Sequence, residues 1–208
     1  MTGDMDHSHT PAADWTELMQ RWDDLPAMAR ADGLAAALRT PDALVASAAR
    51  RFLLECWTEL PAALHSAAAE ALESCLSSPA TCTRTWSFFA DHWGHLPDVL
   101  RAVLTPTRMR AALYEPEAAG DAWDFLGEHW DRLAAEMRAV VSGAGLSEAL
   151  RSPHRRVATA AWEFVIDNWP ALPQALRDGL QVERLAALAR DAGLDRLVRE
   201  FLSLHATA

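Results

Sequence analysis

The chain has 208 residues, half of them hydrophobic and 23% charged, with a formal net charge of −10 and a pI near 5.2. That length buries a substantial core, and the composition argues against a disordered chain or a membrane-embedded one. All 19 basic residues are arginine, and the acidic excess argues against nucleic-acid phosphates as the partner.

Residues 1–11, opening Met1-Thr-Gly-Asp-Met-Asp-His-Ser-His9, are polar and acidic and are expected to form a disordered tail. They lack an apolar signal core, and no later run reaches membrane-spanning length, so a cytoplasmic protein is expected. Cys56, Cys75 and Cys82 have no Cys-x-x-Cys spacing and read as small apolar residues of a reducing compartment.

From residue 12 onward the chain repeats itself. The nine tryptophans fall at two recurring positions: Trp15 and Trp22, Trp57 alone, Trp86 and Trp93, Trp123 and Trp130, Trp162 and Trp169. Members of a pair are seven residues apart, and the second members are spaced by 35, 36, 37 and 39 residues, a range that marks helical solenoids. Arg50 replaces the missing first tryptophan. Each pair is followed by a Leu-Pro corner, at Pro26, Pro61, Pro97 and Pro173, with Ala134 in the fourth unit. A second apolar stretch then closes at Leu38-Arg-Thr-Pro41, Leu76-Ser-Ser-Pro79, Leu113-Tyr-Glu-Pro116 and Leu150-Arg-Ser-Pro153.

One unit is therefore an antiparallel helix pair. Tryptophan-bearing helices are expected over 41–57, 79–93, 116–130 and 153–169, with Thr40, Ser78 and Ser152 as N-caps and a proline in the first turn. Glu115-Pro116 is the weaker copy. The second helix of each unit is expected to break at Asp32-Gly33, Thr105-Pro106, Ser142 to Gly145 and Gly179, and to run unbroken over 61–76. A separate amphipathic helix over about 193–204 would cap the C-terminal end of a single domain spanning 12–208.

Thr40-Pro-Asp-Ala-Leu-Val45-Ala-Ser-Ala-Ala49 and Ser152-Pro-His-Arg-Arg-Val157-Ala-Thr-Ala-Ala161 resemble the inner helix of HEAT repeats, and the broken second helix is similar to armadillo units. The resemblance implies an all-α, right-handed α-solenoid of about four to five helix-pair repeats. Tetratricopeptide repeats compete, but here a proline stands where that family places glycine. Tryptophan is heavier than in HEAT repeats at large, and the Val and Ala positions are weaker after Pro79 and Pro116.

Helical spacing places Trp86, Phe89, Trp93 and Leu96 on one apolar stripe, with Phe88 turned toward an adjacent unit. Trp22, Trp57, Trp86, Trp93, Trp123, Trp130, Trp162 and Trp169 are accordingly expected in the core. Burial of an indole is worth at most about 4–6 kcal/mol.

Counting from the first tryptophan, positions +1 and +5 face away from the stripe, and four of five units carry an acid at +5. If these helices form the inner row, as the resemblance implies, Glu55, Asp91, Asp124, Glu128, Glu163 and Asp167 line an acidic concave groove suited to an Arg/Lys-rich protein segment. The plainer reading is a solvated face of an acidic protein. Arg51 and Arg84 would limit the groove to the C-terminal units.

The His92 and His95 pair at i, i+3 lacks a third metal ligand at matching spacing, His129 repeats the His92 position one unit on, and Asp4, Asp6, His7 and His9 lie in the polar tail, so no metal or other cofactor is expected. No Gly-x-Ser-x-Gly, phosphate loop or His-Glu-x-x-His occurs. The expected function is a non-catalytic protein-binding or peptide-binding scaffold. The alternatives are an enzyme on a HEAT-like frame, of the DNA-glycosylase or bilin-lyase kind, and a small-molecule carrier with a tryptophan-lined pocket. Oligomeric state is left open.

Overall fold

The second tryptophan of each repeat ends an α-helix. In the computed structural model, which describes residues 11–180 and 195–205, Trp22, Trp57, Trp93, Trp130 and Trp169 each open a single 3-10 turn. Leu25, Leu60, Leu133 and Leu172 close four of these turns by donating their N–H groups to the tryptophan carbonyls at 3.3–3.4 Å. The tightened turn lets the chain leave the helix axis at once.

The helices follow the repeat. α1 (Pro11–Gln20) pairs with α2 (Ala27–Arg39), and α3 (Ala43–Cys56) with α4 (Ala62–Leu76). α5 (Cys82–His92) is followed by the split helix α6 (Asp98–Arg101) and α7 (Pro106–Ala112). α8 (Pro116–His129) is likewise followed by α9 (Ala135–Arg138) and α10 (Gly143–Ala149). α11 (Arg155–Asn168) and α12 (Gln174–Gly179) come next, and α13 (Asp195–His205) lies near the C-terminus. The described residues are helical and contain no strand. The expected tail lies outside the described residues apart from Pro11, which opens α1.

The Leu-Pro corners share one backbone. Pro26, Pro61, Pro97 and Pro173 cap the following helix with φ between −53° and −61°, and Ala134 adopts φ −60° and ψ 153° without the ring. Leu133 is extended at ψ 144°, which a following proline requires, and the exposed Ala134 donates no backbone hydrogen bond to the described residues. Ala134→Pro should therefore raise stability by about 0.4–1 kcal/mol, by restricting the unfolded chain. A higher urea midpoint checks this, and a lower one would mean the ring clashes.

At three of the other corners, before α3, α5 and α11, the helices start later than expected, while α8 starts at Pro116 as expected. Thr40 and Ser152 do not cap them: their hydroxyls accept from the N–H groups of Asp42 and His154 at 3.2 Å, bracing the proline turn instead. Asp42 caps α3, its Oδ1 accepting from Leu44 and Val45 at 2.9 and 3.1 Å. Ser78 uses its carbonyl, which accepts from Thr81 and Cys82. The proline after each hydroxyl residue starts a turn there, which moves the helix start downstream. Thr105 is a true cap, accepting from Arg108 with Pro106 in the first turn, and Pro116 opens α8 with no side-chain cap before it.

The expected break at Asp32-Gly33 does not occur, and α2 runs through it. Gly33 serves a close approach: a Cβ there would stand 2.7 Å from the Leu18 methyls. The breaks after α6 and after α9 do occur and residues 62–76 are continuous, while α12 ends at the fourth expected break, Gly179, and residues 181–194 beyond it lie outside the described residues.

The chain divides into two compact units, Met1–Thr85 with His95–Val103, and Trp86–Gly94 with Leu104–Ala208. In the first, α1 packs on α2 and α3, α2 on α3 and α4, and α4 on α6, around Leu34, Leu38, Leu53, Leu64 and Leu72. In the second, α8 packs on α11, α11 on α10 and α13, α7 on α8 and α9, and α10 on α12. Within each unit, tryptophan-bearing helices touch one another and second helices touch one another, giving two layers.

Arg50 is buried at the position the other repeats give to an indole. Its guanidinium donates to the Arg84 carbonyl at 3.1 Å and to Thr85 Oγ1 at 2.9 Å, while Thr85 donates to the Thr81 carbonyl at 2.8 Å. Burial lowers the Arg50 pKa, with Cys75 opposing and Arg84 adding to the shift. Thr85→Val keeps the shape but removes an acceptor from a buried cation, and should cost about 1–3 kcal/mol. Thermal melts should separate it from Thr85→Ser, which retains the hydroxyl and stays near wild type.

Candidate functional site

The face presented outward depends on how the aromatic residues lock inward. Phe125 and Phe164, two positions after Trp123 and Trp162, and Phe52 and Phe201, two positions after Arg50 and Arg199, each sit between the two indoles of the preceding tryptophan helix. Phe52 lies 6.0 and 4.8 Å from Trp15 and Trp22, and Phe125 lies 5.7 and 5.1 Å from Trp86 and Trp93, centroid to centroid. Phe164 lies 5.2 and 5.1 Å from Trp123 and Trp130, and Phe201 of α13 lies 6.3 and 5.0 Å from Trp162 and Trp169. Edge and tilted contacts of this kind suit the ring quadrupoles. Trp86, Trp93, Trp123, Trp130 and Trp162 are buried, whereas Trp22, Trp57 and Trp169 are half-buried. Trp57 stacks on His65 at 3.9 Å, and His65 Nε2–H donates to the Trp57 carbonyl.

Sequence reasoning missed this clasp. Its signal was the spacing of Phe52, Phe88, Phe125, Phe164 and Phe201 by 36, 37, 39 and 37 residues, which places α13, though it carries no tryptophan, in register with the tryptophan-bearing helices; Phe88 packs on Phe89 and His92.

Position +6 supplies a second stitch. His129 Nε2–H donates to the Ala90 carbonyl at 2.9 Å, and Asn168 Nδ2 donates to the Gly127 carbonyl at 3.1 Å. Ala90 and Gly127 are equivalent residues near the ends of α5 and α8, where helix carbonyls lack intrahelical partners. The ring nitrogen that His129 uses here is thus engaged in packing. No group of three His, Cys, Asp or Glu residues that could hold a metal occurs among the described residues.

With the indoles inward, positions +1 and +5 face outward. Ser87, Asp91, Glu128, Glu163 and Asp167 of the second unit are exposed, as is Glu55 of the first, which lies 4.0 Å from Arg51. Arg84 donates to the carbonyls of Pro41 and Ala80. Asp124 differs. It is half-buried and accepts from Arg156 Nη2 at 3.2 Å, and the same nitrogen donates to Asp121 Oδ1. Asp121 is only 6% exposed, so a carboxylate that sequence reasoning overlooked lies beneath the acidic face. Gly120 makes the contact possible, because a Cβ there would meet Arg156 Cγ at 2.7 Å.

Burial raises the Asp124 pKa, Arg156 opposes the rise, and Asp121, Glu163 and Glu128 add to it. These four carboxylates therefore share one electrostatic neighbourhood. The Cys56 thiol is also raised, first by burial and then by Glu59 and Glu55, which makes it a poor nucleophile at neutral pH. Cys56, Cys75 and Cys82 are free.

Comparison of the chain with family models, with curated proteins and with solved structures gave no match. The fold itself defines an all-α protein built of repeated helix pairs. No helix among the described residues is long and apolar enough to cross a membrane.

Proposed function

We propose that the protein is a non-catalytic, cytoplasmic scaffold, a HEAT-like right-handed solenoid whose acidic groove holds an Arg/Lys-rich segment of a partner protein. The observation that carries this reading is the recurrence of an exposed acid at +5 on three successive tryptophan-bearing helices of the second unit, Asp91, Glu128 and Asp167. Two-layered packing within each unit supports the solenoid, and free cysteines suit a reducing compartment. Arg156 adds a chemical precedent, since a guanidinium already bridges two carboxylates of this neighbourhood.

Glu163 and Asp124 flank the row, with Asp124 partly neutralised by Arg156; Glu55 would serve the first unit. Reversing Asp91, Glu128 and Asp167 to arginine should abolish binding of an arginine-rich peptide at low salt while leaving the melting temperature within a few degrees of wild type, because exposed charges contribute little to stability. Peptide binding unchanged by the triple reversal would reduce the acidic row to solvated surface.

A further inference from the structure

The corners Leu38-Arg-Thr-Pro41 and Leu150-Arg-Ser-Pro153 each border a cleft, of about 470 Å³ in the first unit and about 340 Å³ in the second. Both volumes fall in the range of small-molecule sites. Gly145, Ala149, Arg151, Ser152 and Val157 line the second cleft at the repeat positions that Gly33, Ala37, Arg39, Thr40 and Val45 take in the first. The facing wall of the second cleft is the preceding corner. Leu113, Pro116 and Ala119 make it apolar, and the phenol of Tyr114 lies against Gly145, where a Cβ would stand 2.6 Å from its oxygen. A small adjoining hollow shares Leu113, Tyr114 and Gly145 with the cleft; Trp123 lines it, and its buried Nε1–H has no acceptor among the described residues.

The two corners differ where the next helix begins. Asp42 sets a carboxylate on the N-terminus of α3, accepting from the N–H groups of Leu44 and Val45. His154 holds the equivalent place before α11, lines the cleft and gives no side-chain cap, so the equivalent N–H groups, those of Arg156 and Val157, have no such carboxylate. Helix N-termini favour anions. Arg151 is fixed at the rim by its Nε–H, which donates to the Ser147 carbonyl at 2.8 Å, and it forms no ion pair among the described residues. Ser152 Oγ accepts from the His154 N–H and keeps its own proton to donate. Glu148 is the one acid among the lining residues, set against these donors.

We infer that the cleft of the second unit binds a small molecule with an apolar ring and a carboxylate. The carboxylate takes, at α11 and Arg151, the place that Asp42 fills at α3, and the ring rests on the apolar wall beside Tyr114. None of Asp91, Glu128 and Asp167 lines this cleft, so the site is separate from the acidic row.

Tyr114 is the single tyrosine of the chain, so a ¹³C label in tyrosine places one reporter ring in the cleft. The full chain carrying that label is titrated with 3-phenylpropanoate and, separately, with 3-phenylpropanamide, which has the same ring and no charge. A saturable shift of the Tyr114 ring signal is expected with the carboxylate, and binding at least tenfold weaker with the amide. Arg151→Gln should weaken the carboxylate at least fivefold and leave the amide unchanged. His154→Asp gives α11 the cap that α3 has, so it should weaken the carboxylate at least tenfold while the urea midpoint stays at or above that of wild type. No saturable shift, equal binding of acid and amide, or carboxylate binding untouched by both substitutions overturns the site.

Discussion

Phe164→Ala should lower the stability of the protein by about 3–5 kcal/mol, the usual cost of emptying a fully buried aromatic site. Phe164 is 1% exposed, and both of its indole partners, Trp123 and Trp130, are equally buried. Neither indole can move into the space without breaking its own packing, so the cavity persists and its cost adds to the lost transfer energy. At about 2–4 °C per kcal/mol for a chain of this size, the melting temperature should fall by roughly 10 °C. Phe52→Ala is the internal comparison. Phe52 and its partners Trp15 and Trp22 are half-buried, so the same deletion there should cost clearly less. Equal losses at the two sites would show that the clasp does not carry the packing energy. Trp93→Ala should also lower the melting temperature clearly, since Trp93 packs edge-on against Phe125 at 5.1 Å.

Arg156→Ala should cost about 2–3 kcal/mol at neutral pH. Removing one partner of a buried ion pair strands the other charge at about 3–5 kcal/mol, and the 64% exposure of the Arg156 side chain reduces that figure because water screens the pair. The stranded group is Asp121. Combining Arg156→Ala with Asp121→Ala should therefore recover most of the loss, and a double variant worse than Arg156→Ala would contradict the pairing.

The loss should also depend on pH. The folded-state pKa of Asp124 is raised, so between the ordinary carboxylate value and the raised one the fold binds a proton that the unfolded chain does not. This group's contribution to stability is present at the acidic end of that window and is lost as pH rises through the raised value. Arg156 holds that rise in check. Without it the value climbs further, so the variant's deficit should shrink as pH falls into the mildly acidic range. Urea denaturation at several pH values would read the trend, and a deficit that grows on acidification would reverse the argument.

Much of the fold was legible before any coordinates. The recurring second tryptophan followed three residues on by Leu placed the ends of α3, α8 and α11 to within a residue or so, although Arg50 replaces the first indole in the α3 unit and Ala134 the proline after α8. The split of the second helix was visible at Thr105-Pro106 and Ser142-Gly143, where a hydroxyl cap precedes a residue that begins a new helix. The exposure of Glu55, Asp91, Glu128, Glu163 and Asp167 was legible from helical periodicity, whereas Asp124 is half-buried beside Arg156. The apparent break at Gly33 was misleading, because glycine can mark a close contact as well as a chain break, and only the position of Leu18 distinguishes them.

The sequence by itself determined the helix-pair repeat, the inward indole stripe and the outward carboxylates, all of which follow from spacings within a single helix or turn. Tertiary structure decided what the repeats do to one another. Phenyl rings enter indole pairs from the preceding tryptophan helix, and Asn168 reaches a carbonyl 41 residues away. Arg156 turns back over Gly120 to cover an aspartate 35 residues earlier. Such pairings depend on how neighbouring helices cross and how closely they approach, and those quantities are set by packing between repeats, which local periodicity does not encode.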